Sequence, residues 1–212
     1  MSAVRVRAAS LYFLPVQLRV PLKFGLETTT SVVCARVCLR IESSDGAMSA
    51  AGWGETPLSV HWVWPSSLPH AAREEALCGF CKRLAKAWAG FGECGHPLEI
   101  GHRFQMDVLS RELAEFNLER GSLAEPMPWL AALVCCSPFD LALHDAYGVL
   151  LGRPTYTTYG LPDMGRDLAG YLEPAGDAPV TFTGRSVQDY LVLPAPQRLL
   201  AWHLVGGLDA LD

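Results

Sequence analysis

The sequence predicts an α+β fold, a three-stranded antiparallel meander packed on a helical bundle, and three patterns carry that prediction. In residues 33–41, Val33, Ala35, Val37, Leu39 and Ile41 alternate with Cys34, Arg36, Cys38 and Arg40, the period-2 pattern of a strand with one buried face. Two later stretches repeat apolar residues at spacings of three and four, as amphipathic helices do. The third begins after Pro126 and Pro128 and includes Leu141, Ala142, Leu143, Ala146, Val149 and Leu150. It leaves little room for a wet face, so it predicts a helix enclosed by the rest of the chain.

Taken in order, residues 11–20 are apolar and β-rich and predict the first strand. Residues 21–30 (PLKFGLETTT) break the pattern with Pro21 and Gly25 and predict a loop. The alternating stretch is the second strand, Ser44-Asp45-Gly46 a turn, and residues 47–55 the returning antiparallel partner. The first helix has Ser66 or Ser67 as its cap, Pro69 in its first turn, and Ala76, Leu77, Phe80, Leu84, Ala87, Trp88 and Phe91 on its apolar face. Gly79 costs it about 1 kcal/mol relative to Ala. Residues 90–97 turn the chain, and a second helix over about 100–120 buries Phe104, Val108, Leu109, Leu113 and Phe116 before Gly121 stops it. The buried helix follows, with Pro138 either kinking it or preceded by a new cap at Ser137, and with Gly152 and Pro154 as its stop. Residues 162–178 read as a loop or linker and 186–193 as a short helix. The apolar run 199–205 (LLAWHLV), bounded by Pro196 and Gly206-Gly207, reads as a buried strand.

The chain has 212 residues, enough for a real core, with 18% charged and 50% apolar residues and a net charge of -5. No Lys/Arg cluster exists, which argues against a nucleic-acid partner. The apolar run 11–16 is too short and is broken by Pro15, so no secretory signal is predicted, and no stretch approaches the ~20 apolar residues of a membrane span. A cytoplasmic protein is expected. Seven cysteines, with Cys135 and Cys136 adjacent, read as reduced and mostly buried thiols.

Within residues 135–160, the run of Asp140, Ala142, Leu143, Asp145, Gly148, Gly152, Pro154 and Gly160 resembles the signature helix of the mandelate racemase/muconate lactonizing enzymes of the enolase superfamily. The Asp45-Gly46 turn and Gly52-Trp53-Gly54-Glu55 resemble the same family. The resemblance covers essentially the whole chain and departs from the family at Pro138 and at Val149, where a basic residue is common. It implies that residues 1–160 are a capping domain, and residues 161–212 a linker plus the first strand of a truncated (β/α)8 barrel. In that family the loops after the first and third strands reach over the substrate. Here they are residues 21–30 and 55–60, with Phe24, Leu26 and Glu55 as substrate-selecting candidates. The alternative is that Phe24 and Leu26 pack on the sheet edge and Glu55 is a solvated carboxylate. His203, in the barrel-strand stub, faces either the pocket or the surrounding helices.

The chemistry that the resemblance implies is Mg²⁺-assisted abstraction of a proton α to a carboxylate, as in racemisation, cycloisomerisation or dehydration, by a Lys or His base at the ends of barrel strands. Such a barrel needs at least ~200 residues, and only residues 161–212 follow Gly160. The only lysines are Lys23, Lys82 and Lys86, and the later acids Asp163, Asp167, Glu173, Asp177, Asp189, Asp209 and Asp212 are scattered. No catalytic residue and no metal ligand is therefore assigned in this chain. Mg²⁺ and a small carboxylate substrate are expected only for a full-length relative, and homo-oligomerisation follows from the resemblance alone. The alternative is a complete non-catalytic α+β module for binding or self-association.

Other patterns carry less. Cys78-x-x-Cys81 with Cys94 and His96 has the letters of a zinc set, but the first pair lies inside an amphipathic helix, where buried thiols are the better account. Cys34 and Cys38 are expected to pack against helices. Residues 90–95 match G-x-G-x-x-G but follow a helix instead of a strand. His144, beside Asp145, reads as a packing residue.

Overall fold

A computed structural model of the chain describes residues 3–24, 27–121, 125–192 and 194–202. Its sheet is the expected meander, with β1 (Val4–Phe24), β2 (Glu27–Ser43) and β3 (Ser49–Pro57) in the order β1-β2-β3, both pairs antiparallel. Val37 stands opposite Leu11 and Gly54, and Leu39 opposite Ala9 and Gly52. That register collects Ala35, Val37, Leu39 and Ile41 on one fully buried face. Arg36 and Arg40 are exposed on the other, together with half-buried Cys38. Cys38 therefore lies on the outer face and not against the helices, since its parity in the strand is that of the arginines. At the β2–β3 turn Gly46 takes φ +73°. The Asp45 carboxylate there accepts from the Ser43 hydroxyl (2.6 Å) and the Ala47 N–H (3.0 Å), the local bonding that makes Asp a turn residue.

Residues 21–24 and 27–30 are strand and not the expected loop. β1 continues to Phe24 and β2 begins at Glu27, with Leu22 opposite Thr29 and Phe24 opposite Glu27. Pro21 falls where the register slips between Gln17 and Leu22. β1 is an edge strand, so a missing N–H breaks no interior ladder, and the β-branched Thr28, Thr29 and Thr30 favour the extended partner.

Among the described residues, six helical elements lie between β3 and Gly152. A single turn, α1 (Val60–Val63), leads to α2 (His70–Gly90), whose N-cap is Pro69 and not Ser66 or Ser67. Ser66 serves the preceding turn: its hydroxyl accepts the Leu68 N–H at 3.0 Å and donates to Glu125 at 2.6 Å. α3 (Pro97–Arg103), a π-helical turn (Phe104–Leu109) and α4 (Ser110–Glu119) run on as one helical stretch, and Gly121 follows at φ +83°. Trp88 of α2 stacks on Phe104 at 4.0 Å between centroids, joining these two pieces through their largest rings. α5 (Trp129–Leu151) packs on β3, β2 and α2, runs through Pro138 without ending, and closes at Gly152 in the left-handed region at φ +64°.

Beyond α5 the chain forms a 3-10 turn (Thr155–Thr158), α6 (Leu161–Met164) and two further 3-10 turns (Leu168–Gly170 and Val187–Tyr190). The stretch expected as a linker thus has local order, and Met164 and Leu168 are buried. The run expected as a barrel strand is not a strand in its described part: Leu199, Leu200 and Trp202 are 83%, 92% and 95% exposed. No neighbouring strand stands beside them among the described residues, and an isolated strand has no ladder to form. Residues 203–205, His203 included, lie outside the described residues. No helix among the described residues is long and apolar enough to cross a membrane.

Candidate functional site

The two segments proposed above as substrate loops converge at one end of the sheet. Leu22, Thr29, Ser31 and Val32 of the β1–β2 hairpin face Leu58 to Trp62 across a cleft of about 220 Å³. His70 and Glu74 of α2 close its third side. Leu58 and Val60 are buried in its wall, while Leu22 and Trp62 stand at its rim, about 60% exposed. The lining is mostly apolar with a few polar groups, the usual constitution of a small-molecule pocket.

This wall is fixed by the chain on either side of it. The Leu58 N–H donates to the Val33 carbonyl at 2.8 Å, extending the β2–β3 ladder by one rung. Trp64 is buried, its Nε1–H donating to Glu125 at 2.9 Å, while the Arg73 guanidinium donates to its carbonyl. Rings of His61 and His70 lie 4.8 Å apart, and His70 Nδ1 is 3.9 Å from Glu74. Residues 58–64 are thereby held on a frame, as a selective surface requires.

Of the three substrate-selecting candidates, Phe24 ends β1 at the hairpin tip and Leu26 lies outside the described residues. Glu55 is in β3 and not in a loop, ion-paired with Arg36 at 2.6 Å on the outer face, and it is not among the residues lining the cleft. Beside it Arg36, Trp53, Gly54 and Glu55 border a separate surface depression. The aromatic groups at the cleft, His61, Trp62 and His70, are not among the residues the sequence marks as substrate-selecting. Each belongs to a turn or helix start whose direction only packing sets.

The signature residues act on the fold. A Cβ on Gly52 would lie 2.0 Å from the Ala146 nitrogen, and one on Gly54 2.1 Å from the Pro138 carbonyl oxygen. α5 therefore rests its backbone directly on β3. Asp145 accepts the Trp53 N–H at 2.8 Å from across that contact, and Thr56 donates to Ser137 at 3.1 Å. Gly148 faces Thr155, and its carbonyl accepts from Arg153 N–H at 3.2 Å, closing the helix end.

A buried imidazole pair ties this helix end to the turn that follows it. His96 Nδ1 accepts the Leu98 N–H at 3.1 Å, so its proton is on Nε2, which donates to the Thr158 carbonyl at 3.2 Å. His144 Nδ1 bonds the Tyr159 hydroxyl at 2.9 Å. Burial pushes both imidazoles down to about 4, so His144 is the packing residue expected and His96 is a second, unforeseen one. The thiols follow the same logic: burial raises Cys78 to about 11 and Cys136 to about 12. Cys81 and Cys135 point their Sγ atoms at the carbonyls of Cys135 and Leu77. Among the described residues no group of three or more His, Cys, Asp or Glu is placed to hold a metal ion. A hard divalent cation needs several convergent oxygens, and this arrangement does not fit one.

No protein-family model matches the chain, and no curated protein does. Solved structures are similar to it at low identity. An enolase from alpha proteobacterium BAL199 with bound magnesium has a TM-score of 0.44 and 16% identity, over 73% of this chain and 34% of that one. A dipeptide epimerase from Enterococcus faecalis V583, complexed with magnesium and a dipeptide, has a TM-score of 0.42 and 15% identity, over 74% and 34%. A mandelate racemase/muconate lactonizing protein from Herpetosiphon aurantiacus has 0.39 and 15%, again over 74% and 34%. The chain spans about a third of the length of the structures it matches.

Proposed function

We propose that this chain is the substrate-capping part of an enzyme of the enolase superfamily, of the mandelate racemase/muconate lactonizing type. Residues 1–160 form the cap and residues 161–212 lead from it toward a barrel. The observation that carries the reading is the meeting of the hairpin residues 22–31 with residues 58–62 in one apolar cleft at the end of the sheet. A cap of this kind selects the non-reacting portion of a substrate and keeps water from the reacting portion. Its selecting residues are Phe24 and Leu26, with Leu22 and Trp62 at the rim of the cleft. The substrate is a small carboxylate with an exchangeable α-proton. The base that removes the proton, and any magnesium ion that assists, belong to parts of the enzyme outside the described residues, so the chain alone has no turnover.

The test is deuterium exchange at the α-carbon, followed by NMR, for a panel of mandelate-like and dipeptide carboxylates with Mg²⁺ in D₂O. The purified 212-residue chain is expected to exchange at the buffer rate, and the same chain supplied with a barrel half to exchange faster. Exchange by the chain alone above buffer overturns the reading. A non-catalytic self-association module is the second reading, favoured by the exposure of Leu199, Leu200 and Trp202. Sedimentation decides it: a stable dimer lost in a Leu200→Asp, Trp202→Asp variant supports the module, and a monomer removes it.

A further inference from the structure

We propose that a second cavity, between α3, α5 and the Leu168–Gly170 turn, binds a small organic ammonium ion with Asp140 as its counter-ion. The cavity holds about 330 Å³ and is lined by Leu98, His102, Asp140, Leu168, Tyr171 and Val187 among others. It is separate from the cleft, and the inference does not depend on the capping reading.

Asp140 is the carboxylate of this cavity. A Cβ on Gly101 would lie 2.2 Å from its Oδ1, so the carboxylate occupies space that only a glycine on α3 leaves open. Among the described residues the one ionisable partner within ion-pair range is His144, whose Nε2 is 3.9 Å away and whose burial keeps it neutral above a pH of about 4. Two guanidinium groups from this side of the fold are engaged by glutamates. Arg103 pairs with Glu93 and with Glu99 at 2.9 Å, and Arg166 lies 3.8 Å from Glu99. Burial pushes Asp140 up to about 6, which leaves it an uncompensated, half-sheltered anion at neutral pH. Such a charge is costly until a cation meets it.

The rest of the cavity selects the kind of cation. The Tyr171 hydroxyl is buried with no hydrogen-bond partner among the described residues, so an N–H donor that reaches it by shifting its neighbours finds a free acceptor. Its ring stands edge-on to His102 at 5.2 Å and presents an aromatic surface of the sort that attracts ammonium groups. Leu98, Leu168 and Val187 give an apolar wall for a short aliphatic tail. A metal ion is a poor match, since one carboxylate and one phenol do not supply the six or more oxygens that hard cations take.

The experiment is an NMR titration of the 212-residue chain with n-butylammonium chloride at about pH 7.5, with n-butanol as the neutral isostere. Saturable shifts at the Leu168 and Tyr171 amides are expected, with Kd near ~1 mM. Binding should weaken about tenfold at pH 5, as Asp140 protonates, and at least tenfold in Asp140→Asn. Tyr171→Phe should weaken it by a factor of about three. No saturable shift up to about 50 mM, or equal binding of n-butanol, overturns the proposal. Should the Asp140 variant not fold, the n-butanol and pH comparisons on the unaltered chain still decide.

Discussion

Asp145 sits on a buried helix yet spends its charge on a neighbouring strand, accepting the Trp53 N–H at 2.8 Å. Asp145→Ala should cost about 1 kcal/mol in urea unfolding, and Asp145→Asn less, because the amide oxygen can still accept. The two buried imidazoles make a sharper prediction. His96 and His144 ionise near 6.5 in an unfolded chain and near 4 in the folded one. Between those values the unfolded state binds more protons, so their contribution is full above 6.5 and is lost as the pH falls toward 4. Asp140 acts oppositely: raised to about 6, it favours the folded state as pH falls from 6 toward 4. Two histidines against one carboxylate leave a net loss on acidification, on the order of 3 kcal/mol as an upper bound. Urea midpoints at pH 7 and pH 4.5 check it; a midpoint that rises on acidification would contradict the buried, neutral pair. His144→Gln should remove most of the dependence, because one histidine then stands against one carboxylate.

Among the elements, the β3–α5 contact leaves the described glycines the least room. Gly52→Ala and Gly54→Ala each place a carbon 2.0–2.1 Å from helix backbone, which neither element can yield without separating. Each should destabilise by more than about 3 kcal/mol or prevent folding, read by circular dichroism and thermal melting. Gly79→Ala is the contrasting case. Its nearest neighbours are ring carbons of Phe116 at 3.8 Å, an ordinary contact, so the substitution should stabilise α2 by about 1 kcal/mol. Both glycine types look alike in sequence; only the element facing each one separates them. The meander and the main helices were legible because their periodicities are local. The hairpin through residues 21–30 was not, because Pro21 and Gly25 signal a break unless one knows that β1 is an edge strand.

At the scale of the molecule, one end of the sheet carries the cleft and another junction, at α3 and α5, carries the Asp140 cavity. Truncating the cleft tests whether the first is a cap. In an enzyme reconstituted with a barrel half, Trp62→Ala should raise KM several-fold for substrates with a bulky apolar group while leaving kcat within about twofold, the pattern of lost uniform binding. An equal fall in kcat for all substrates would place Trp62 elsewhere in the mechanism.

The candidate site was legible only as two stretches of chain, residues 21–30 and 55–60. The pattern of Asp140, Asp145, Gly148 and Gly152 marked a buried helix and its end, since those signals depend on near neighbours along the chain. Which strand that helix would lie on, that Glu55 would turn outward to Arg36, and that His61, Trp62 and His70 would gather at one cleft were settled by packing. Such contacts join residues far apart in sequence, and their directions follow from which faces exclude water together, a property no local pattern contains.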